Sequence, residues 1–256
     1  MFDFDQWANL YDRVYSDVTH DIPFYLDHAS KIGGSVLELG CGTGRVTIPM
    51  ASVGIDVTGV DISPAIVCKL REKAADSGVI LKSCVMDMRH LELSQVYRLV
   101  VVPYRGFQSI MDMEGQEDCL NSIHRHLEYG GKVIIDMFVP SRELFDQYAD
   151  VSYQVKDISN CANKVVTTVW HRSSFNRHNQ TIDTCLKIES IVGDIVEESK
   201  YVNFNLKYLY MHEAEYLFKN CGFKVNALYG GFNEEPFDEN STDMVWVLES
   251  EKNSNA

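Results

Sequence analysis

Residues 38–45 read Glu38-Leu39-Gly40-Cys41-Gly42-Thr43-Gly44-Arg45, a glycine-rich turn that joins an apolar run, Ser35-Val36-Leu37-Glu38-Leu39-Gly40, to a helix-like stretch. Glycines in such a turn adopt positive φ and let backbone approach a ligand closely, while the helix start offers free N–H groups. Gly44 arrives one residue too early for the dinucleotide pattern G-x-G-x-x-G and is followed by a charged side chain, so a pyrophosphate cradle is the weaker reading.

Working outward, four more short apolar runs follow at regular intervals. They are Asp56-Val57-Thr58-Gly59-Val60-Asp61, Val79-Ile80-Leu81-Lys82-Ser83-Cys84-Val85, Tyr97-Arg98-Leu99-Val100-Val101-Val102-Pro103 and Lys132-Val133-Ile134-Ile135-Asp136-Met137-Phe138. Strands alternating with helices build a doubly wound, mostly parallel α/β sheet of Rossmann-like type. The helix after the second run is well delimited: Ser63 is its N-cap, Pro64 its first residue, Ile66, Leu70 and Ala74 one face, and Gly78 its stop. Another spans about 115–127, with Leu120, Ile123 and Leu127 on one side, before Gly130-Gly131 turns into the fifth run. Pro49 conflicts locally with the first helix, where it removes a backbone donor.

Between 149 and 205 strand follows strand (165–170, 182–191, 195–204) without helix, the mark of an antiparallel insertion. The α/β pattern resumes with a helix near 212–221 and strands near 223–229 and 243–248, making seven strands in all. Before the sheet, Phe4, Trp7, Tyr11 and Tyr15, then Phe24, Tyr25 and Leu26, predict two helices packed onto the domain. The expected organisation is thus 1–33 as N-terminal helices, 34–148 with 206–250 as the ligand-binding domain, 149–205 as the insertion and 251–256 as a tail.

The 256 residues carry a net charge of -14 with 45% apolar residues, an ordinary globular balance that repels phosphate backbones and anionic lipid. Nucleic acid and membrane are therefore not expected partners. The seven cysteines stand at least sixteen residues apart, which excludes a C-x-x-C pair and suits free thiols in a reducing cytoplasm. An acidic start and the lack of a long apolar run support the same cytoplasmic expectation. His124 and His126 face different ways on a helix, and no metal site is assigned.

Asp61 ends the second run, where a carboxylate accepts hydrogen bonds from both hydroxyls of a ribose. Asp87 follows the third run in Met86-Asp87-Met88, so three consecutive strand ends meet on one nucleoside in a single crevice.

Together with the turn Leu127-Glu128-Tyr129-Gly130-Gly131-Lys132, these features resemble the class I S-adenosylmethionine-dependent methyltransferases over roughly residues 5–250. The resemblance implies S-adenosyl-L-methionine as cofactor. It places backbone around Gly40 and Gly42 at the methionine moiety, Asp61 on the ribose, Ile62 and Met88 at the adenine faces, and Asp87 at the adenine amino group, with Glu38, Thr43 and Pro103 also among the cofactor-binding residues. Arg45 would take the cofactor carboxylate. The pair Tyr11-Asp12, the segment Pro103-Tyr104-Arg105-Gly106-Phe107-Gln108 and the insertion resemble, more narrowly, small-molecule members such as glycine and aminosugar N-methyltransferases. In those the N-terminal helix and the insertion form a lid, which would bring Tyr11 and Tyr15 over the sulfonium. The run Val102-Pro103-Tyr104-Arg105 departs from the Asn/Asp-Pro-Pro-Tyr of nucleic-acid amino-methyltransferases, in keeping with the acidic charge.

Methyl transfer asks the protein mainly for proximity, orientation and exclusion of water. Candidates to handle an acceptor's proton are His171, His178, His212, Tyr104, Tyr153 and Tyr11. Transfer to nitrogen is favoured over oxygen. Two rivals stay open at this point, a nicotinamide-dependent oxidoreductase and a non-catalytic nucleoside-binding scaffold, and the oligomeric state is open to a homodimer.

Overall fold

The computed structural model describes residues 8, 10–15, 17–141, 145–146, 149–160 and 165–251. Phe4, Trp7, Cys161 and the tail after 251 lie outside them. The chain forms α1 (Tyr11–Tyr15), α2 (Ile22–Ile32), β1 (Val36–Leu39), α3 (Thr47–Ser52), β2 (Val57–Asp61), α4 (Pro64–Asp76), β3 (Lys82–Val85) and β4 (Tyr97–Val102). A 3-10 turn, Gly106–Ser109, then leads to α5 (Met113–His126) and β5 (Leu127–Phe138). The insertion strands are β6 (Tyr153–Asn160), β7 (Val165–Asn176), β8 (Thr181–Val192) and β9 (Ile195–Lys207), followed by α6 (Met211–Asn220), β10 (Phe223–Tyr229) and β11 (Asp243–Ser250).

The main sheet has seven strands in the order β10-β11-β5-β4-β1-β2-β3, parallel except for β11, which runs antiparallel to both neighbours. Helices cover both faces. On one, Leu120 and Ile123 of α5 and Leu217 and Phe218 of α6 pack with Leu37, Val100, Ile135 and Trp246. On the other, Phe24 and Tyr25 of α2 and Met50 of α3 meet Val36, Leu99, Ile134 and Val245. Successive residues of each strand serve opposite faces, which is why these strands read as continuous apolar runs.

The strand order reverses between β1 and β4, so the loops leaving their carboxyl ends diverge and open a crevice. The predicted caps of α4 are present: the Ser63 hydroxyl accepts from the Ile66 N–H at 3.1 Å, and Gly78 takes φ 67° just past the helix. The conflict expected at Pro49 disappears because α3 begins only at Thr47, which puts Pro49 in the first turn, where amide donors are largely without helical acceptors. The fifth strand starts earlier than expected. Leu127 already pairs with Tyr97, and Gly130, at φ 63°, sits in an irregular stretch before Lys132 pairs with Leu99.

The insertion is a separate four-stranded antiparallel sheet, β6-β7-β8-β9, with β6 as a strand beyond the three expected. Its inner face carries Val169, Leu186, Ile188 and Val202, which bury Leu10 and Val14 from the N-terminal segment and Ile66 of α4. A second contact joins Ile182 and Phe175 to Phe138 at the end of β5. Sheet and N-terminal helix thereby roof the crevice. Among the described residues no helix is long and apolar enough to cross a membrane.

Candidate active site

The glycine loop enters the crevice from β1. Gly42 adopts φ 56°, and a Cβ there would sit 3.7 Å from the Tyr11 ring, so α1 lies directly on the loop. Gly44 is needed for packing: with φ 93°, its Cβ would fall 2.3 Å from a Leu70 methyl. Thr43 is wholly buried, and its hydroxyl donates to Asp12 of α1 at 2.6 Å, a carboxylate that Lys73 of α4 also reaches at 2.8 Å. The helix is latched to the loop it covers.

Asp61, 8% exposed, accepts the Gly42 N–H at 3.0 Å on one oxygen and the Ser63 N–H at 3.0 Å on the other. The two bonds fix the carboxylate's orientation at the mouth of the crevice. Ile62 stands exposed beside it and Met88 reaches to 3.6 Å from a Gly40 Cβ, an apolar pair flanking the site. Asp87 faces Arg89, which binds both its oxygens at 2.6 to 3.1 Å and holds the carboxyl below its usual range against the opposing effect of partial burial.

Glu38 is buried beneath the loop and accepts from the Thr47 hydroxyl at 2.5 Å. Burial pushes its carboxyl up to about 8, with Thr47 and Arg45 opposing, so at neutral pH it is the protonated acid. Its folded pKa lies above its ordinary 4.5, so the stability it contributes is full below pH 4.5 and is lost as pH rises through about 8. Replacement by the neutral isostere in Glu38→Gln should flatten the stability profile between these limits, measured by urea denaturation at pH 5, 7 and 8.5; parallel profiles would show that Glu38 is ionised throughout.

Arg45, expected at the cofactor carboxylate, has partners within the fold. Its guanidinium is committed to Asp21, at 2.5 and 2.7 Å, and to the Val18 carbonyl at 3.1 Å, tying the start of α2 to the glycine loop. The group also lies 4.9 Å from the centroid of the Tyr104 ring. Tyr11, Tyr15 and Tyr104 form a continuous aromatic wall, with centroids 5.0 Å apart for the first pair and 5.2 Å for the second. Burial raises the hydroxyl pKa of all three, keeping them neutral.

After β4, Pro103 is buried and Tyr104 and Arg105 both take left-handed φ, 53° and 64°. That costs roughly 1–2 kcal/mol per residue for side chains other than glycine. The compensation is Asp136 on β5, which the sequence reading missed. Its buried carboxylate accepts the Tyr104 N–H at 2.7 Å, the Arg105 N–H at 3.2 Å and the Tyr25 hydroxyl. Only its place at the sheet's carboxyl edge could have pointed to it. Asp136→Ala strands three buried donors, so we expect a loss of about 3 kcal/mol. In a domain this size that is a fall of roughly 6–12 °C in Tm by calorimetry; an unchanged Tm would show that the turn holds itself.

The three candidate histidines separate. His171 of β7 is half-buried on the inner face of the insertion, its Nδ1 2.6 Å from the Tyr153 hydroxyl and its Nε2 3.2 Å from the Ser173 hydroxyl, which is 2.9 Å from that of Thr184. Burial, then the charge of Arg105, lower its pKa, so it is a neutral base near pH 7. His178 is exposed in the β7–β8 turn, and His212 is 84% exposed on α6 beside Glu215. Both sit at the surface, outside the crevice. Among the described residues no His, Cys, Asp or Glu side chains gather in the groups of three that could hold a metal. A cavity of about 420 Å³, lined by Trp170, Arg172, Lys187 and Tyr201, lies on the outer face of the insertion, away from this site.

A doubly wound sheet with a glycine loop and an acidic second-strand end at its switch point defines a nucleoside-binding α/β protein. Residues 36–131 match the methyltransferase domain family. The chain is 22% identical over 243 residues to the putative methyltransferase YqeM of Bacillus subtilis, covering 89% of each protein. It superposes on the CcbJ methyltransferase of Streptomyces caelestis with a TM-score of 0.85, at 24% identity and 97% coverage of both chains. On the sugar N-methyltransferase KedS8 of Streptoalloteichus the TM-score is 0.73, at 17% identity, covering 93% of this chain and 92% of the other. The matched domain, these relatives and these neighbours support a class I S-adenosylmethionine-dependent methyltransferase over the oxidoreductase and scaffold readings.

Proposed function

We propose that the enzyme transfers a methyl group to a nitrogen of a small molecule held between α1, the loop after β4 and the inner face of the insertion. The observation that carries this reading is the polar array Tyr153–His171–Ser173–Thr184, set into an otherwise apolar sheet face that roofs the crevice. Likeness in fold to a sugar N-methyltransferase supports nitrogen as the acceptor. The roofed crevice also suits a small substrate better than a polymer.

The residues present fit the cofactor. Gly40 and Gly42 leave the space a Cβ would fill, Asp61 holds an oriented carboxylate at the second-strand end where ribose hydroxyls would bind, and Ile62 and Met88 offer apolar faces to adenine. Asp87, oriented by Arg89, would take the adenine amino group, while Glu38 and Thr43 shape the floor. S-adenosylmethionine supplies an electrophilic methyl group on sulfur. Tyr11, Tyr15 and Tyr104 present neutral aromatic faces, an environment that favours positive charge and excludes water. His171, neutral and hydrogen-bonded to Tyr153, takes up the proton an amine must shed. In domain terms, α1 and α2 with strands β6–β9 act as the lid on a cofactor domain built from the seven-stranded sheet.

The test is a screen of small amines and matched alcohols with S-adenosylmethionine carrying a labelled methyl group, read as label in product. Methylated amine is the expected product. Label confined to alcohols, or incorporated only into protein or nucleic acid, would overturn the reading.

A further inference from the structure

Among the described residues Arg105 is a cation without a neutralising partner. Its guanidinium makes no ion pair or hydrogen bond among the described residues, in a chain of net charge -14. The arginines around it are spoken for, Arg45 by Asp21 and Arg89 by Asp87. Arg105 instead stands exposed, 5.2 Å from the centroid of Phe138 and 5.9 Å from that of Tyr104. Ring faces of this kind favour the cation and leave the guanidinium edge, with its paired N–H donors, free.

Its position is imposed from below. The left-handed backbone at Tyr104 and Arg105 is held by the buried Asp136 carboxylate, and strain sustained in this way marks segments placed for function. Phe138, under the guanidinium, packs against Ile182 and Phe175 of the insertion, and β9 lies against the 3-10 turn that begins at Gly106. Arg105 therefore stands where the roof meets the strand ends, near enough to His171 and Tyr15 for its charge to be felt at both.

Resting on the methyl-acceptor site proposed above, we infer that Arg105 recognises a carboxylate on the acceptor, so that the substrates are small amines that also carry a carboxylic acid. A guanidinium binds a carboxylate through two parallel N–H···O bonds, the pairing that both positions and orients a small acid. The charge count favours a monoanion. One free cation neutralises one carboxylate, whereas the other groups of the pocket, Tyr153, His171, Ser173 and Thr184, are neutral and could not balance a phosphate dianion.

The experiment is calorimetric titration of the 256-residue protein, saturated with S-adenosylhomocysteine, with phosphoethanolamine and with three acid and amine pairs: β-alanine and ethylamine, 4-aminobutyrate and propylamine, 4-aminobenzoate and aniline. Wild type, Arg105→Met and Arg105→Lys are compared, with the affinity for S-adenosylmethionine measured on each. At least one acid should bind wild type roughly 10- to 100-fold more tightly than its amine, as expected for a charge-assisted pair. That preference should vanish in Arg105→Met and return in part in Arg105→Lys, with cofactor affinity within twofold throughout. Loss of cofactor affinity in Arg105→Met would assign the arginine to the cofactor and overturn the inference, as would wild type that binds no acid or prefers phosphoethanolamine. Acid binding that depends on Arg105 but leads to methylation on oxygen would sink the nitrogen reading and leave this one standing; methylation of uncarboxylated amines indifferent to Arg105 would do the reverse.

Discussion

Asp61→Ala should weaken binding of S-adenosylmethionine and S-adenosylhomocysteine by roughly 100- to 10,000-fold, because hydrogen bonds to an ionised acceptor contribute about 1.5–3 kcal/mol each and two are lost. Both oxygens already accept backbone N–H groups, from Gly42 and Ser63, so the carboxylate is oriented before any ligand arrives. The same bonds make the substitution costly to the loop, since the Gly42 amide loses its acceptor. Asp61→Asn separates the two effects: it keeps one oxygen for the loop and should lose affinity by an intermediate factor. Calorimetric titration of each variant, alongside thermal denaturation, is the check. Binding of Asp61→Ala within threefold of wild type would show that the nucleoside is held elsewhere.

Why Asp61 was legible in the sequence and Asp136 was not is a matter of what each residue answers to. Asp61 closes an apolar run that follows a glycine turn, and doubly wound sheets place such a residue at the nucleoside. Asp136 also lies in an apolar run, but its partners are the backbone amides of Tyr104 and Arg105 in the turn after β4 and the hydroxyl of Tyr25, residues 31 to 111 positions away. No local pattern announces a bond of that range. The strands and the helix caps at Ser63 and Gly78 were readable because they rest on period, capping and backbone conformation within a few residues. The pairing of Arg45 was hidden for a similar reason. Its type suited an anionic ligand, but burial beside Asp21 decides its use, and burial is a tertiary fact.

Sorting the histidines likewise needed the insertion's register. Strand residues alternate between faces, so a slip of one position would have turned His171 outward and Trp170 inward. The observed pairing sets His171 opposite Leu186 and Tyr153, on the apolar side that packs against α1. The sequence offered His171 beside His178 and His212, and the register is what sets His171 on the inner face.

His171→Gln should lower kcat by about 100-fold, the usual lower contribution of a positioned general base, while leaving cofactor affinity unchanged. The pH profile carries the sharper test. Burial and Arg105 both hold the His171 pKa below 6.5, so the acid limb of kcat/KM, which reports the free enzyme, should fall below that value. An acceptor carboxylate on Arg105 would cancel the second of these effects, since a neutralised guanidinium no longer opposes a proton on the imidazole. The acid limb of kcat, which reports the complex, should then lie at higher pH than that of kcat/KM, and the gap should close in Arg105→Met. Tyr153→Phe should act in the same direction as His171→Gln by removing the hydroxyl at 2.6 Å from Nδ1. Replacement of the surface residues His178 or His212 should leave turnover unchanged. A kcat for His171→Gln within threefold of wild type would mean that the amine reaches the site already deprotonated, leaving His171 a hydrogen-bonding residue of the pocket wall.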